Sequence, residues 1–316
     1  MKRLRFWLAV TAWVVAGCSR APRAPLGIDP LLAELVPGDA VTLAGVRLEA
    51  LRATPLWQKW VAGKPVAPLD ELAKETGLDL RKDVSEVLLV SNGKEGLVLA
   101  RGRFSRAELE ANLERRGGKR MRHKGATLVG NEETAIVFLG AEVVAAGPPR
   151  LLRSILDQRG RAGIPKALLE EAKGIAAESQ VWAVSLGSFD QAARALPQAG
   201  NLSNLTKILE LMEKSTFAAD LRSGLNGTAT VLCRSDQNAK TLSEALRGII
   251  GLARLSTPDS EPDLLRAYDG IQVSLEQRSV RLRAEIAQEL LDKLLGRLSA
   301  AGPGAFTPGF QLPRRP

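Results

Sequence analysis

Two stretches of this chain repeat one another in order and nearly in spacing, and that repeat limits the folds open to it. Val41-Thr42-Leu43-Ala44-Gly45-Val46 opens the first stretch with strand-forming residues, and Val181-Trp182-Ala183-Val184-Ser185-Leu186 opens the second. Each continues into apolar segments around an Asn-Gly, Asn92-Gly93 and Asn226-Gly227, a pair that favours a tight hairpin because both residues accept positive φ. Ser105 with Glu108, and Thr241 with Glu244, then show capping-box spacing at the start of a helix. Leu99-Ala100-Arg101 matches Leu232-Cys233-Arg234, Leu109 and Leu113 match Leu242 and Leu246, and Gly125 matches Gly270. A strand-hairpin-helix-strand unit must bury one sheet face under its own helices. The repeat therefore predicts an α+β fold of two diverged copies of an antiparallel sheet-plus-helices unit, over residues 31–160 and 161–300, joined near Gly160–Pro165. In this alignment the second copy lacks a counterpart of the strand Glu142–Ala146.

Within the first copy, Pro55 splits Leu48–Val61 into two helical pieces. Asp70 caps a short helix, Glu71–Thr76, that Gly77 ends. Strands are expected at Val87–Val90, Leu97–Ala100, Ala126–Val129, Ala135–Leu139 and Glu142–Ala146, with helices from Ser105 to Glu114 and from Pro148-Pro149 through Ile155. In the second, Asn201–Lys214 and a segment from Thr241 to Ala253 carry apolar residues at helical spacing. Phe217–Leu221, Thr228–Cys233, Ile271–Leu275 and Val280–Ala284 fit strands, and Gln288–Leu298 a closing helix. Cys233 alternates with Ala229 and Val231, as a small buried hydrophobe does.

The N-terminus says where the chain goes. Lys2, Arg3 and Arg5 precede eleven mostly apolar residues, Phe6–Ala16, and small residues then lead to Cys18. This is the anatomy of a secretory signal, too short for a spanning helix. Val15-Ala16-Gly17-Cys18 resembles the lipobox of bacterial lipoproteins, which implies removal of residues 1–17 and acylation, palmitate included, of the Cys18 thiol. Ser19, where an Asp would resemble an inner-membrane retention signal, leans toward the outer membrane. Residues 18–30 then form the lipidated start and a tether rich in Pro and charge, and 301–316, rich in Gly and Pro, a disordered tail. With Cys18 acylated, Cys233 has no partner for a disulfide.

The layout of Gly77-Leu78-Asp79-Leu80-Arg81-Lys82-Asp83-Val84 leading into a strand, and of Ala135–Leu139 leading to Val143–Gly147 and a helix, resembles the duplicated α+β domains of uncharacterised exported bacterial proteins. The resemblance implies a fold and no chemistry.

The residues themselves offer little chemistry either. The only histidine is His123, which excludes two-histidine metal and catalytic sites. There is no Cys-x-x-Cys and no Gly-x-Ser-x-Gly, and no cofactor loop or metal site is expected. Glu108/Glu110, Glu132/Glu133 and Glu170/Glu171 are expected on solvated surface, and Trp57 and Trp60 in helix packing. The formal charge is +9, of which Lys2, Arg3 and Arg5 leave with the leader. The remaining excess suits anionic neighbours but is too small to imply nucleic acid. Its densest part is Arg115, Arg116, Lys119, Arg120, Arg122 and Lys124, in a helix-to-strand connection. With Glu108, Glu110 and Glu114 as the only nearby acids, these cations form a candidate patch for an anionic surface, and Arg120, Arg122 and Lys124 would point to one side. The sequence thus points to a membrane-anchored, non-enzymatic envelope lipoprotein with a periplasmic or surface body that binds or scaffolds an envelope protein or anionic polymer. A carrier of a small apolar ligand is the alternative, and a hydrolase using only Asp, Glu, Lys or Ser the third.

Overall fold

The computed structural model describes residues 27–159, 163–187 and 211–300. The first unit supplies strands β1 (Thr42–Arg47), β2 (Val84–Ser91), β3 (Gly96–Gly102), β4 (Lys119–His123), β5 (Ala126–Gly130), β6 (Ala135–Phe138) and β7 (Val143–Gly147). The second supplies β8 (Val181–Ser185), β9 (Met212–Asp220), β10 (Gly224–Cys233), β11 (Ile271–Glu276) and β12 (Ser279–Ala287). All join one 12-stranded sheet in the order β11-β12-β10-β9-β8-β1-β2-β3-β7-β6-β5-β4.

The two units meet edge to edge. β1 pairs antiparallel with β8, Thr42 opposite Ser185 and Val46 opposite Val181. From this seam both run outward alike, β1-β2-β3 and β8-β9-β10, and the last strand of each, β7 and β12, then pairs with the third. This corrects the alignment made through Gly125 and Gly270. β12 occupies the place of β7 and β11 that of β6, so the strands without counterparts are β4 and β5, not Glu142–Ala146. Spacing counts residues from the preceding helix, whereas position in a sheet depends on which strand returns to pair with the third.

Alternation along the strands sorts side chains between two faces. On one face Leu43, Leu88, Val90, Leu97, Leu99, Trp182 and Val184 are buried under α1 (Pro30–Ala33), α6 (Pro149–Gln158) and α7 (Lys166–Ala172), through Leu32, Leu152, Ile155 and Leu168. On the other, Ala100, Phe138 and Val144 pack with Leu48, Leu51, Trp57 and Leu109 of α2 (Leu48–Arg52), α3 (Pro55–Trp60) and α5 (Arg106–Arg115). In the second unit α8 (Asp236–Leu255) sets Ala239, Leu242 and Leu246 on Val231, Cys233, Val273 and Val280. Cys233 is wholly buried, and burial pushes its thiol above the ordinary range.

At the seam, Gly45 lies opposite Trp182 in register. The indole occupies the space a side chain would need: a Cβ on Gly45 would lie 2.2 Å from Trp182 Cε2.

Several local expectations shift. Pro55 does divide α2 from α3, and Gly77 ends α4 (Ala67–Thr76) in the left-handed region at φ 79°. Asp70 sits inside that helix and accepts the Val66 N–H at 2.8 Å. Asn92-Gly93 forms the β2–β3 turn, with Gly93 at φ 83°. Asn226-Gly227, expected as a turn, lies inside β10, because Gly224 at φ 109° already closes that hairpin. α8 begins at Ser235, whose Oγ accepts the Asn238 N–H at 3.1 Å, whereas Thr241 donates to the Gln237 carbonyl in mid-helix. Ser105 precedes α5 without a side-chain capping bond. Of the helix expected over 201–214, Met212–Lys214 instead begin β9, and 201–210 lie outside the described residues. The two outer strands are guarded. β4 carries Lys119, Arg120 and Arg122, and Arg247 of α8 donates to the outward carbonyl of Val273 in β11 at 3.0 Å.

Candidate functional site

The basic segment is built by a turn and an edge strand. Gly117, at φ 91°, ends α5, and β4 then runs antiparallel to β5 as the outermost strand. Lys124 and Gly125 close that hairpin, both at positive φ, 45° and 81°, the geometry of a two-residue turn. Arg116 pairs with Glu75 at 3.2 Å, Arg120 with Glu110 at 3.0 Å and with Glu114, and Lys124 with Asp157 at 2.8 Å. Arg115 donates to the Asn112 side chain. Lys119 and Arg122 are exposed and make no ion pair among the described residues. Asp157 also takes His123 Nε2 at 2.8 Å, and Lys124 and His123 together hold its carboxyl below the usual range.

Three of the six cations thus have acidic partners. Glu75 on α4 and Asp157 on α6 lie far off in sequence, and only the packing of those helices against the edge brings them in. Glu110, expected on the surface, is buried because it serves both Arg106 and Arg120. The expected one-sided row also breaks up. Arg120 turns to α5 on one face of the sheet, while the turn carries Lys124 to Asp157 of α6 on the other. Trp57 packs in the core as expected, and Trp60 donates to Asp292 of the closing helix (Gln288–Ala300) at 2.9 Å. Cys18 lies outside the described residues.

A second cluster, unmarked in the sequence, gathers around residues 27–29 ahead of α1. Arg47, Glu86 and Arg101 come from β1, β2 and β3 and lie side by side in register. Arg47 donates to the Gly27 carbonyl at 2.8 Å and to the Ala177 carbonyl. Arg101 pairs with Asp29 and, at 3.4 Å, with Glu142. Glu86 accepts the backbone N–H of Asp29, and its Oε1 is buried without a partner. Three strands together grip residues 27–29.

Burial pushes the Glu86 carboxyl above its ordinary value of 4.5, against the pull of Arg47. The folded state therefore favours the neutral form, so the contribution of Glu86 to stability is fully present while it is protonated and falls as pH rises from about 4.5 through the raised folded value. Glu86→Gln keeps the oxygen for the Asp29 N–H and removes the charge. Its melting temperature relative to the parent is expected to climb as pH goes from 4 to 8. A constant difference across a thermal-unfolding pH series would show that Glu86 is not the titrating group.

A cavity of about 590 Å³ mixes Trp57, Ala62 and Pro65 with Lys64, Asp70, Asp79 and Arg81, and two others are polar. One, of about 550 Å³, lies over β9, β10 and β12 and is lined by Thr216, Thr228, Thr230, Arg281 and Arg283 among others. The other, of about 320 Å³, holds Arg52, Lys82, Arg101 and Arg103 together with Glu49, Asp83 and Glu142. An apolar carrier calls for apolar lining. Among the described residues no group of three His, Cys, Asp or Glu is placed to hold a metal ion, and no helix is long and apolar enough to cross a membrane.

No family model and no curated protein matches the chain. Among solved structures it is similar to TP0453. Crystal form III aligns with a TM-score of 0.50 at 13% identity, over 86% of this chain and 99% of that one. Forms I and IV align at 0.45 and 0.46, both at 12% identity, covering 86% and 89% of this chain and 98% and 99% of those. At such identities the likeness is one of fold, and the fold this chain shares with TP0453 in form III is the paired α+β sheet described above.

Proposed function

We propose that this chain is a bacterial envelope protein anchored by lipid on Cys18, whose body binds or scaffolds an anionic envelope component without doing chemistry on it. The observation that carries the reading is the leader: three cations, eleven mostly apolar residues and Val15-Ala16-Gly17-Cys18, nine residues ahead of Gly27, where the described body begins. The exposed edge strand β4, where Lys119 and Arg122 make no ion pair among the described residues, supports an anionic partner. The experiment is mass spectrometry of the N-terminal peptide from the protein purified out of native membranes. A peptide beginning at Cys18 and carrying acyl chains is expected. An N-terminus elsewhere, or an unmodified Cys18, overturns the reading.

A further inference from the structure

The strand registers place the basic hairpin and the tether root at one end of the sheet. Arg47, Glu86, Arg101 and Val143 lie at the same end of β1, β2, β3 and β7. Pairing onward through β6 and β5 brings His123 and the Lys124-Gly125 turn to that end too. The opposite end carries the Asn92-Gly93-Lys94 turn, the turn after Gly130 with Glu132 and Glu133, and Lys119. We infer that the end gripping residues 27–29 is the surface the body turns to the bilayer, and that Lys82, Arg103 and Arg122 there meet anionic lipid headgroups. This rests on the lipid anchor proposed above.

Two observations choose this end. The first is reach. Gly27 lies nine residues after Cys18, a span of about 30 Å at full extension. β9 alone has nine residues, so the sheet is itself about 30 Å high. To present the opposite end, the tether would have to run fully extended back along the body. The grip of Arg47, Glu86 and Arg101 fixes its starting point at the near end.

The second is charge. Lys82 and Arg103 are exposed beside the loop before β2 and after β3, Arg122 is exposed at the end of β4, and none makes an ion pair among the described residues. Most neighbouring acids are occupied: Glu142 by Arg101, Asp83 by the Asp79 N–H at 2.8 Å, and Asp157 by Lys124 and His123. Glu49 is the exception. The far end exposes Glu132 and Glu133 in its turn, which anionic headgroups would repel.

The test is amine acylation read by mass spectrometry on the chain beginning at Cys18, coupled through that thiol to a maleimide lipid in vesicles. Cys233 is buried and does not compete. In vesicles of mixed phosphatidylglycerol and phosphatidylcholine, Lys82 and Lys124 are expected to be protected several-fold relative to the uncoupled protein, with Lys94 and Lys119 unchanged. A triple variant, Lys82→Ala, Arg103→Ala and Arg122→Ala, should stay tethered and lose the protection at Lys124. Equal protection at both ends, protection of Lys94 and Lys119 alone, or protection of neither end overturns the inference. So does identical protection on pure phosphatidylcholine. Because the lipid is attached chemically, failure here is separate from failure of Cys18 to be acylated in the cell.

Discussion

Gly45→Ala is expected to lower the thermal midpoint by roughly 5 °C, through overpacking worth about 3 kcal/mol. Propensity argues the other way, since glycine inside a strand is ordinarily worse than alanine. The indole of Trp182 reverses the sign. A Cβ at Gly45 would lie 2.2 Å from Cε2 and 2.3 Å from Nε1, and Trp182, 1% exposed among Leu43 and Val184, has nowhere to retreat. The collision falls on the strand pair that joins the two units. A double-mutant cycle isolates the cause. Trp182→Leu alone costs stability by leaving a cavity, but adding Gly45→Ala to it should cost little, because the ring that collides is gone. If Gly45→Ala melts at or above the parent temperature, the indole does not lie over Gly45 and the register of the seam is wrong.

Cys18→Ala should move the body almost completely from the membrane to the soluble fraction. Acyl chains supply about 0.8 kcal/mol per buried CH₂, far more than a few surface cations contribute at physiological salt. The variant must be exported and followed in fractionated cells, beside the parent, at low and high salt. Residual binding that washes off with salt would be the contribution of Lys82, Arg103 and Arg122. An exported alanine variant that still sediments wholly with membranes, salt-washed, would end the anchor reading.

The α+β class, the two-unit layout and most strands could be read from the sequence, because buried faces impose alternation. What escaped has physical reasons. β4 did not register as a strand because Lys119, Arg120 and Arg122 crowd it, and an edge strand tolerates charge that a central one does not. Gly227 suggested a turn because Asn-Gly favours one, but in β10 it faces Ala219 and Ala284 across the ladder, where a small residue also fits. The grip on residues 27–29 could not be seen because Arg47, Glu86 and Arg101 are ordinary charges until three strands align them. Of the basic segment, exposure of Lys119 and Arg122 was legible. The partners of Arg116 and Lys124 were not, since helix packing decides them.

Anchored proteins share a plane, and in a plane encounters between neighbours are frequent and already oriented. An open sheet edge would then be hazardous, because two such edges meeting would zip into a ribbon that adds copies without limit. Both outer strands here resist that. The cations of β4 repel a second β4, and on β11 the guanidinium of Arg247 occupies the carbonyl of Val273. On the anchor proposed above, copies sharing one membrane would be kept from zipping together through these two edges.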